Sequence, residues 1–215
     1  MICVFLGVPG SGKGTQAKKL CSLLHIPYVG TGEILRDNIS RGTELGLKVS
    51  DILKRGHFVD DETMIALIEE EIKNKNSFVM DGFPRTVSQA DAMERLFGKY
   101  GKKLSSVLFL DVSVEEVVKR VLGRYLCGKC GKDFNVYLES IKGNICPACG
   151  GGLIRRSDDT ASTIRARIDE YNKKTAPLKD YYLNKNILKI IDGRGSVEDI
   201  FARIPEVLNK RITRQ

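Results

Sequence analysis

The chain has 215 residues, of which 42% are hydrophobic and 29% are charged, a composition typical of a globular protein with one sizeable core. Its formal net charge of +8 at pH 7 favours anionic partners such as nucleotides, nucleic acid or a membrane surface. No hydrophobic run approaches the roughly 18 residues of a membrane span, and Ile2–Leu6 is too short for a secretory signal. We therefore expect a cytoplasmic protein whose six cysteines are thiols or metal ligands rather than disulfides.

Short hydrophobic runs alternate with helix-periodic segments along the chain. The runs at residues 2–6, 78–80, 107–111 and 187–191 predict buried strands, and residues 26–29 form a weaker candidate. Between them, apolar residues recur at helical spacing, as from Ala17 to Leu24 and from Val114 to Val121. This alternation predicts an α/β fold, in which a parallel sheet is covered by helices on both faces.

A glycine-rich segment follows the first strand and opens a helix. Residues 7–15 read GVPGSGKGT, which in this context is typical of a phosphate-binding P-loop rather than a simple glycine-rich turn. Glycines let backbone N–H groups surround phosphate oxygens, and Lys13 supplies a mobile positive charge for the β- and γ-phosphates. We predict that nucleotide phosphates, those of ATP if the resemblance described below holds, are bound by Gly10, Ser11, Gly12, Lys13, Gly14 and Thr15.

The loop departs from the usual P-loop pattern at one position. Gly14 stands where Ser or Thr normally follows the lysine, and Thr15 comes one residue later. The usual role of that hydroxyl as a magnesium ligand therefore cannot be assigned to Gly14. Thr15 is predicted to contact a phosphate or to hold metal-bound water.

An aspartate follows the second hydrophobic run. Residues 81–86 read DGFPRT, which places Asp81 at the carboxyl end of a strand that we expect beside the P-loop. A carboxylate there can hold the hydration shell of Mg²⁺. The alternative is an ordinary loop aspartate.

Several arginines lie at the ends of predicted elements. Arg120 and Arg124 are four residues apart and project from one helix face, while Arg156 precedes Asp158 and Asp159. Arg167 lies on the following helix. Solvated helix faces or a basic nucleic-acid surface are the alternatives, and the absence of interleaved aromatic residues disfavours the second.

Two cysteine pairs have the spacing of a zinc site. Cys127 and Cys130 are separated from Cys146 and Cys149 by fifteen residues, giving the pattern C-x2-C-x15-C-x2-C. Four thiolates fill a tetrahedral zinc shell, so we predict a structural metal that stabilises a segment too small to fold alone. Disulfides and redox-active pairs are the alternatives.

Five stretches of the chain resemble the adenylate kinase family of nucleoside monophosphate kinases. They are the P-loop, the DGFPR stretch at 81–85, the GR and RxDD motifs at 123–124 and 156–159, and the region from Arg167 through TAPL at 175–178. The resemblance extends over nearly the whole chain. The cysteine pairs are similar to those of a zinc-lid subgroup known mainly from bacteria.

The resemblance implies a division of the chain and a set of contacts. It implies a parallel five-stranded core from residues 1–29, 60–122 and 161–215, a helical AMP-binding insertion at 30–59 and a zinc-binding lid at 123–160. It implies AMP contacts from Thr31, Arg36, His57, Phe58, Val59, Gly82, Phe83, Pro84, Arg85, Gln89, Arg156 and Arg167. It adds Arg120, Arg124, Asp133, Phe134 and Gly195 as ATP contacts, and implies catalytic roles for Lys13, Arg85, Arg120, Arg124, Arg156 and Arg167.

The implied reaction is reversible transfer of a phosphoryl group from ATP, bound with Mg²⁺, to AMP, giving two ADP. Because the AMP phosphate is ionised at pH 7, no general base is needed, and guanidinium groups can stabilise the transferring charge. A monomer of nucleotide biosynthesis that binds neither nucleic acid nor membrane is expected. A UMP or CMP kinase and a GTP-dependent enzyme remain alternatives. So does a protein of another class, either a P-loop switch or a nucleic-acid-binding module that uses the zinc ribbon for contact.

Overall fold

The computed structural model describes residues 1–55, 57, 59–137, 141, 143–155 and 159–208. The elements are, in chain order, β1 (Ile2–Leu6), α1 (Lys13–Leu24), β2 (Tyr28–Gly30), α2 (Thr31–Ser40), α3 (Glu44–Lys54), α4 (Asp61–Ile72), β3 (Phe78–Asp81), α5 (Val87–Lys99), β4 (Ser106–Asp111), α6 (Val114–Leu122), β5 (Arg124–Cys127), β6 (Asp133–Asn135), β7 (Leu153–Ile154), α7 (Ala161–Glu170), a π-helical turn (Tyr171–Thr175), α8 (Leu178–Asn184), β8 (Leu188–Asp192) and α9 (Val197–Val207). Within these residues, no helix is long and apolar enough to cross a membrane.

The core sheet is parallel and has five strands in the order β2-β3-β1-β4-β8. The prediction of an α/β fold with a five-stranded parallel sheet is therefore confirmed. The weaker candidate at 26–29 forms the edge strand Tyr28–Gly30, and the last strand lies one residue later than predicted, at Leu188–Asp192.

Helices cover both faces of this sheet because its strands are apolar on both sides. Successive side chains of a strand point to opposite faces. Val4 accordingly joins one hydrophobic cluster, with Met80 and Met93, whereas Phe5 joins another, with Leu20. Two buried layers, one on each face, explain why the strands read as continuous hydrophobic runs rather than alternating ones.

Residues 30–59 contribute two helices and no strand within the described part of the segment. Thr43 caps the start of α3, where its side chain accepts a hydrogen bond from the Gly46 N–H. A Cβ on Gly46 would lie 2.2 Å from the carbonyl oxygen of Asn38. The glycine therefore allows α3 to pack directly against the end of α2.

The cysteine-rich segment forms a separate antiparallel sheet in the order β6-β5-β7. Phe134 and Leu153 pack with Cys127 and Cys146 in a small hydrophobic cluster. This cluster is much smaller than those of the core sheet, which agrees with a segment that needs a further source of stability.

Candidate active site

The P-loop connects β1 to α1 at the carboxyl end of the sheet. Gly7, Gly10 and Gly12 all have positive φ angles of 140°, 90° and 98°. A Cβ on Gly10 would lie 2.3 Å from Cγ2 of Val121, so no larger residue fits there. The glycines thus serve both the backbone turn and its contact with α6.

Lys13 begins α1 and turns its side chain back over the loop. Its Nζ donates hydrogen bonds of 2.9 Å to the carbonyl oxygens of Gly7 and Val8. Burial lowers the pKa of Lys13 to about 8, the carboxylate of Asp81 opposes the shift, and the positive charges of Arg85 and Arg124 add to it. The ammonium group is therefore held in a place that favours an anionic partner.

Arg120 fastens the P-loop to neighbouring elements. Its buried guanidinium donates to the carbonyl oxygens of Ser11 at 3.2 Å and Gly193 at 2.8 Å, and its Nε donates to Glu116 at 2.9 Å. These bonds give Arg120 a structural role at the edge of the site, in addition to the nucleotide contact predicted from the sequence.

A first cleft of about 190 Å³ opens over the P-loop. It is lined by several residues predicted to bind ATP, namely Gly10, Gly12, Lys13, Gly14, Thr15, Arg120, Arg124, Asp133 and Phe134. Ser11 is fully buried and Gly195 does not line this cleft, although Val197 does. The first cleft therefore brings together most of the residues predicted to bind ATP.

A second cleft of about 350 Å³ lies between the carboxyl end of the sheet, α2 and α3. It is lined by six residues predicted to bind AMP, namely Arg36, His57, Gly82, Pro84, Arg85 and Arg167. Thr31, Val59, Phe83 and Gln89 are buried and do not line it. Phe58, Arg156 and Asp158 lie outside the described residues.

Hydrogen bonds anchor Arg85 through its side chain and through its backbone carbonyl. Its Nε donates to the Gly82 carbonyl at 2.7 Å, and its own carbonyl accepts from Oγ1 of Thr175 in the π-helical turn at 2.8 Å. Burial lowers the pKa of Arg85 to about 10, with Arg167 and Arg36 adding to the shift against Asp81, so its guanidinium stays charged at neutral pH. The charge is thus fixed in the second cleft.

Gln89 is held by two hydrogen bonds within the protein. Its Oε1 accepts from the backbone N–H of Arg85 and its Nε2 donates to Asp61 Oδ1, both at 2.7 Å. The amide therefore uses both of its hydrogen-bonding functions on the protein. Its contact with a base stays a prediction, and making that contact requires an exchange of partner.

Among the residues that the structure describes, six line both clefts and mark the place where the clefts meet. We call these the junction residues: Lys13, Tyr28, Glu33, Arg36, Asp81 and Arg124. Arg124 is oriented by Asp159, whose buried carboxylate accepts from its Nε at 2.7 Å and also lies 3.9 Å from Nη1 of Arg167. The positive side chains of Lys13, Arg36 and Arg124 therefore lie together where the two clefts join.

Sequence reasoning missed two junction residues, Tyr28 and Glu33. The available signal for Tyr28 was its position on an edge strand beside the strand that ends at Asp81. Glu33 lies in the first turn of α2 and pairs with Lys18. A lone carboxylate in a first helical turn is usually a response to the helix dipole, so nothing in the sequence marked it.

The four lid cysteines come together. Their sulfur atoms all lie within 4.8 Å of one another, with Sγ–Sγ distances of 3.5 Å for Cys127–Cys149 and 3.7 Å for Cys130–Cys146. Thiolates around one tetrahedral ion at about 2.3 Å would be about 3.8 Å apart, whereas disulfide sulfurs are about 2.05 Å apart. The cluster can therefore hold a metal ion, and the disulfide alternative does not fit.

Backbone N–H groups prepare the first cysteine for this role. The N–H groups of Cys130 and Lys129 both point at Cys127 Sγ from 3.4 Å. The hydrogen bond from Cys130 is the main cause of the lowered pKa of Cys127, about 6. Gly131 and Gly150 follow the second cysteine of each pair with positive φ angles of 68° and 71°, as two matching knuckle turns require.

A parallel sheet with a P-loop after its first strand, and two clefts that join over it, defines a nucleotide-binding protein of the P-loop class. A family model described as adenylate kinase matches residues 5–187. The chain is 45% identical to the adenylate kinase of Fervidobacterium nodosum over 97% of both chains, and 41% identical to that of Thermodesulfovibrio yellowstonii over 98% of this chain and 100% of the relative. It is 39% identical to the adenylate kinase of Archaeoglobus fulgidus over 98% and 99%. The chain belongs to the adenylate kinase family of phosphotransferases.

Proposed function

We propose that this enzyme transfers the γ-phosphoryl group of ATP in line to AMP, reversibly, with the first cleft as donor site and the second as acceptor site. The observation that carries the proposal is the convergence of both clefts on the junction residues. A phosphoryl group that passes between two nucleotides needs such a shared space, and a simple nucleotide switch does not.

The residues at the junction suit a reaction limited by charge. Lys13 and Arg124 face both clefts, and Arg85 and Arg167 line the acceptor side. They neutralise the two polyanions as they approach and stabilise the charge on the transferring phosphoryl group. The acceptor oxygen is already ionised at pH 7, so no side chain has to remove a proton.

Asp81 is the residue we propose to hold Mg²⁺ through bound water. Its carboxylate lies at the end of β3 against the P-loop, where a Cβ on Gly14 would be 3.1 Å from Oδ2. A carboxylate oxygen beside the phosphate loop fits the oxygen-rich shell that Mg²⁺ prefers. Mg²⁺ held there would reduce the negative charge of the phosphate groups.

We further propose that the lid metal is zinc, one ion per chain, bound by Cys127, Cys130, Cys146 and Cys149. Four thiolate ligands leave no open coordination position, so the ion has a structural role. The lid and the helices α2 and α3 flank the two clefts, and their closure would limit hydrolysis of ATP. A cytoplasmic location and a monomeric state stay predictions from the sequence.

We assign the selection of AMP to Thr31 and Gln89, which are buried outside the second cleft, and Gln89 has to exchange a protein partner for the base. Arginines bind phosphate, which every monophosphate carries, so they cannot select a base. An amide can accept from the exocyclic amine of adenine and donate to its ring nitrogen, and a carbonyl at that amine position would leave a buried group unpaired. Such a mismatch costs about 1–3 kcal/mol, or about 5- to 150-fold in specificity.

The test is kcat/KM with ATP as donor and AMP, GMP, CMP or UMP as acceptor. The native chain should prefer AMP strongly, and Gln89→Leu should lose much of this preference while still transferring phosphate. Ser88→Ala is the matched control, because Ser88 also donates to Asp61, at 2.7 Å, without touching the base-reading amide. A native preference for UMP or CMP would contradict the proposed acceptor. In the same assay with GTP in place of ATP, faster turnover with GTP would contradict the proposed donor.

A further inference from the structure

Tyr28 makes a direct contact with the carboxylate that we assign to the metal. Its hydroxyl donates a hydrogen bond of 3.1 Å to Oδ2 of Asp81. The two residues are on neighbouring parallel strands, where Gly30 is the register partner of Asp81. The phenol therefore approaches Asp81 from the adjacent strand and lies at the junction of the two clefts.

Gly30 makes this approach possible. A Cβ on Gly30 would lie 2.4 Å from Cε1 and 2.5 Å from the hydroxyl oxygen of Tyr28. The backbone of Gly30 is ordinary extended chain, with φ −104° and ψ 103°, so its conformation does not demand glycine. The missing side chain instead provides the space in which the tyrosine ring folds across the strand towards Asp81.

The P-loop leaves complementary space on the other side. A Cβ on Gly14 would lie 3.1 Å from Asp81 Oδ2 and 3.5 Å from the Tyr28 hydroxyl. P-loops normally carry a Ser or Thr hydroxyl at this position. In this chain two polar groups lie next to that position, the Asp81 carboxylate and the phenol of Tyr28, which comes from β2.

The ring is also held from its exposed side. Lys18 lies 5.5 Å from the ring centroid of Tyr28 and forms an ion pair with Glu33. A cation over the ring face favours one ring orientation. Two glycines and one lysine thus restrict the phenol to the position from which it reaches Asp81.

We propose that Tyr28 is a positioning residue that fixes the orientation of the Asp81 carboxylate for a hydrated divalent cation bound with ATP. The hydrogen bond engages Oδ2 and thereby sets the direction of the second carboxylate oxygen. This inference rests on the proposed role of Asp81. As a consequence, the gain in ATP affinity from the metal should rely in part on Tyr28, a residue outside the P-loop and outside the DGFPR stretch.

The first experiment compares the dissociation constants of Mg–ATP and of ATP in buffer freed of divalent ions, measured by calorimetry. Tyr28→Phe should lower the ratio of the metal-free to the Mg–ATP dissociation constant by about 3- to 10-fold, as expected for one lost hydrogen bond. Affinity for metal-free ATP should stay within about 2-fold. Tyr181→Phe is the matched control, because it removes a hydroxyl that donates to Asp91, on the exposed surface.

A second variant keeps the hydroxyl and moves it. Gly30→Ala should displace the ring and lower the same ratio, and its effect should not add to that of Tyr28→Phe in the double variant. Asp81→Asn separates the two proposals. If Asp81→Asn lowers the ratio and folded Tyr28→Phe does not, the positioning role is wrong; if Asp81→Asn has no effect either, the proposed metal role of Asp81 fails with it.

Discussion

Lys13 shows how burial prepares a single side chain for a polyanion. Its pKa lies at about 8 instead of the ordinary 10.5, because burial disfavours the ammonium form. The folded chain therefore binds fewer protons than the unfolded chain between these two pH values. Charged Lys13 costs stability below pH 8, and this cost decreases as the pH rises through the window. Phosphate oxygens should reverse the shift, because they favour the charged form.

Nucleotide binding should consequently be coupled to proton uptake. At pH 8, Lys13 is about half protonated in the free chain and should be fully protonated beside the triphosphate. The protein should therefore take up about half a proton when it binds ATP. The measurement is calorimetry of ATP binding at pH 8 in buffers of different ionisation enthalpy. Lys13→Met is the control, and it should abolish the uptake and reduce turnover by about 100-fold or more. Equal uptake by the native chain and Lys13→Met would show that another group takes the proton.

Some residue-scale contacts were predictable from sequence and others were not. The P-loop lysine and the four cysteines lie in motifs whose spacing is tied to their chemistry. Tyr28 has no such motif, because its contact with Asp81 depends on strand order and on the space over Gly30. The hydrogen bond between Gln89 and Asp61 was equally unpredictable, because the two residues are 28 positions apart in the sequence.

The lid is the element whose stability depends most on something other than packing. Within its described residues, the hydrophobic cluster of the lid has four buried members, two of which are cysteines. A cluster of this size offers few apolar contacts to hold three short strands together. Metal–thiolate bonds should therefore supply much of the folding free energy of the lid, whereas the core sheet is independent of them.

Metal removal should unfold the lid and leave the core intact. Protein purified without chelator should contain about one zinc ion per chain, and stripping it should speed amide exchange in β5, β6 and β7 while β1 and β4 stay protected. Cys146→Ser should show the same pattern without chelation. Unchanged exchange in the lid after complete loss of metal would mean that packing alone holds it.

At the scale of the whole molecule, hydrophobic patterning was enough to predict the α/β class and a parallel sheet covered by helices on both faces. Residues 2–6 and 107–110 are apolar on both faces, which is characteristic of inner parallel strands, and they belong to β1 and β4 inside the sheet. The edge strand Tyr28–Gly30 was a weak candidate because it has three residues, of which only Val29 is aliphatic. The order of the strands, and hence the meeting of the two clefts, depends on tertiary packing that no local pattern encodes.

Direct transfer between two nucleotides at the junction residues is tested by phosphorus NMR of the native chain with equimolar ATP and AMP in the presence of Mg²⁺. Each ATP consumed should be matched by one AMP consumed and two ADP formed, without inorganic phosphate, because the phosphoryl group passes from one cleft to the other without meeting water. Lys13→Met should slow all of these changes together. Release of inorganic phosphate at a rate independent of AMP, with AMP unchanged, would contradict transfer between the two clefts.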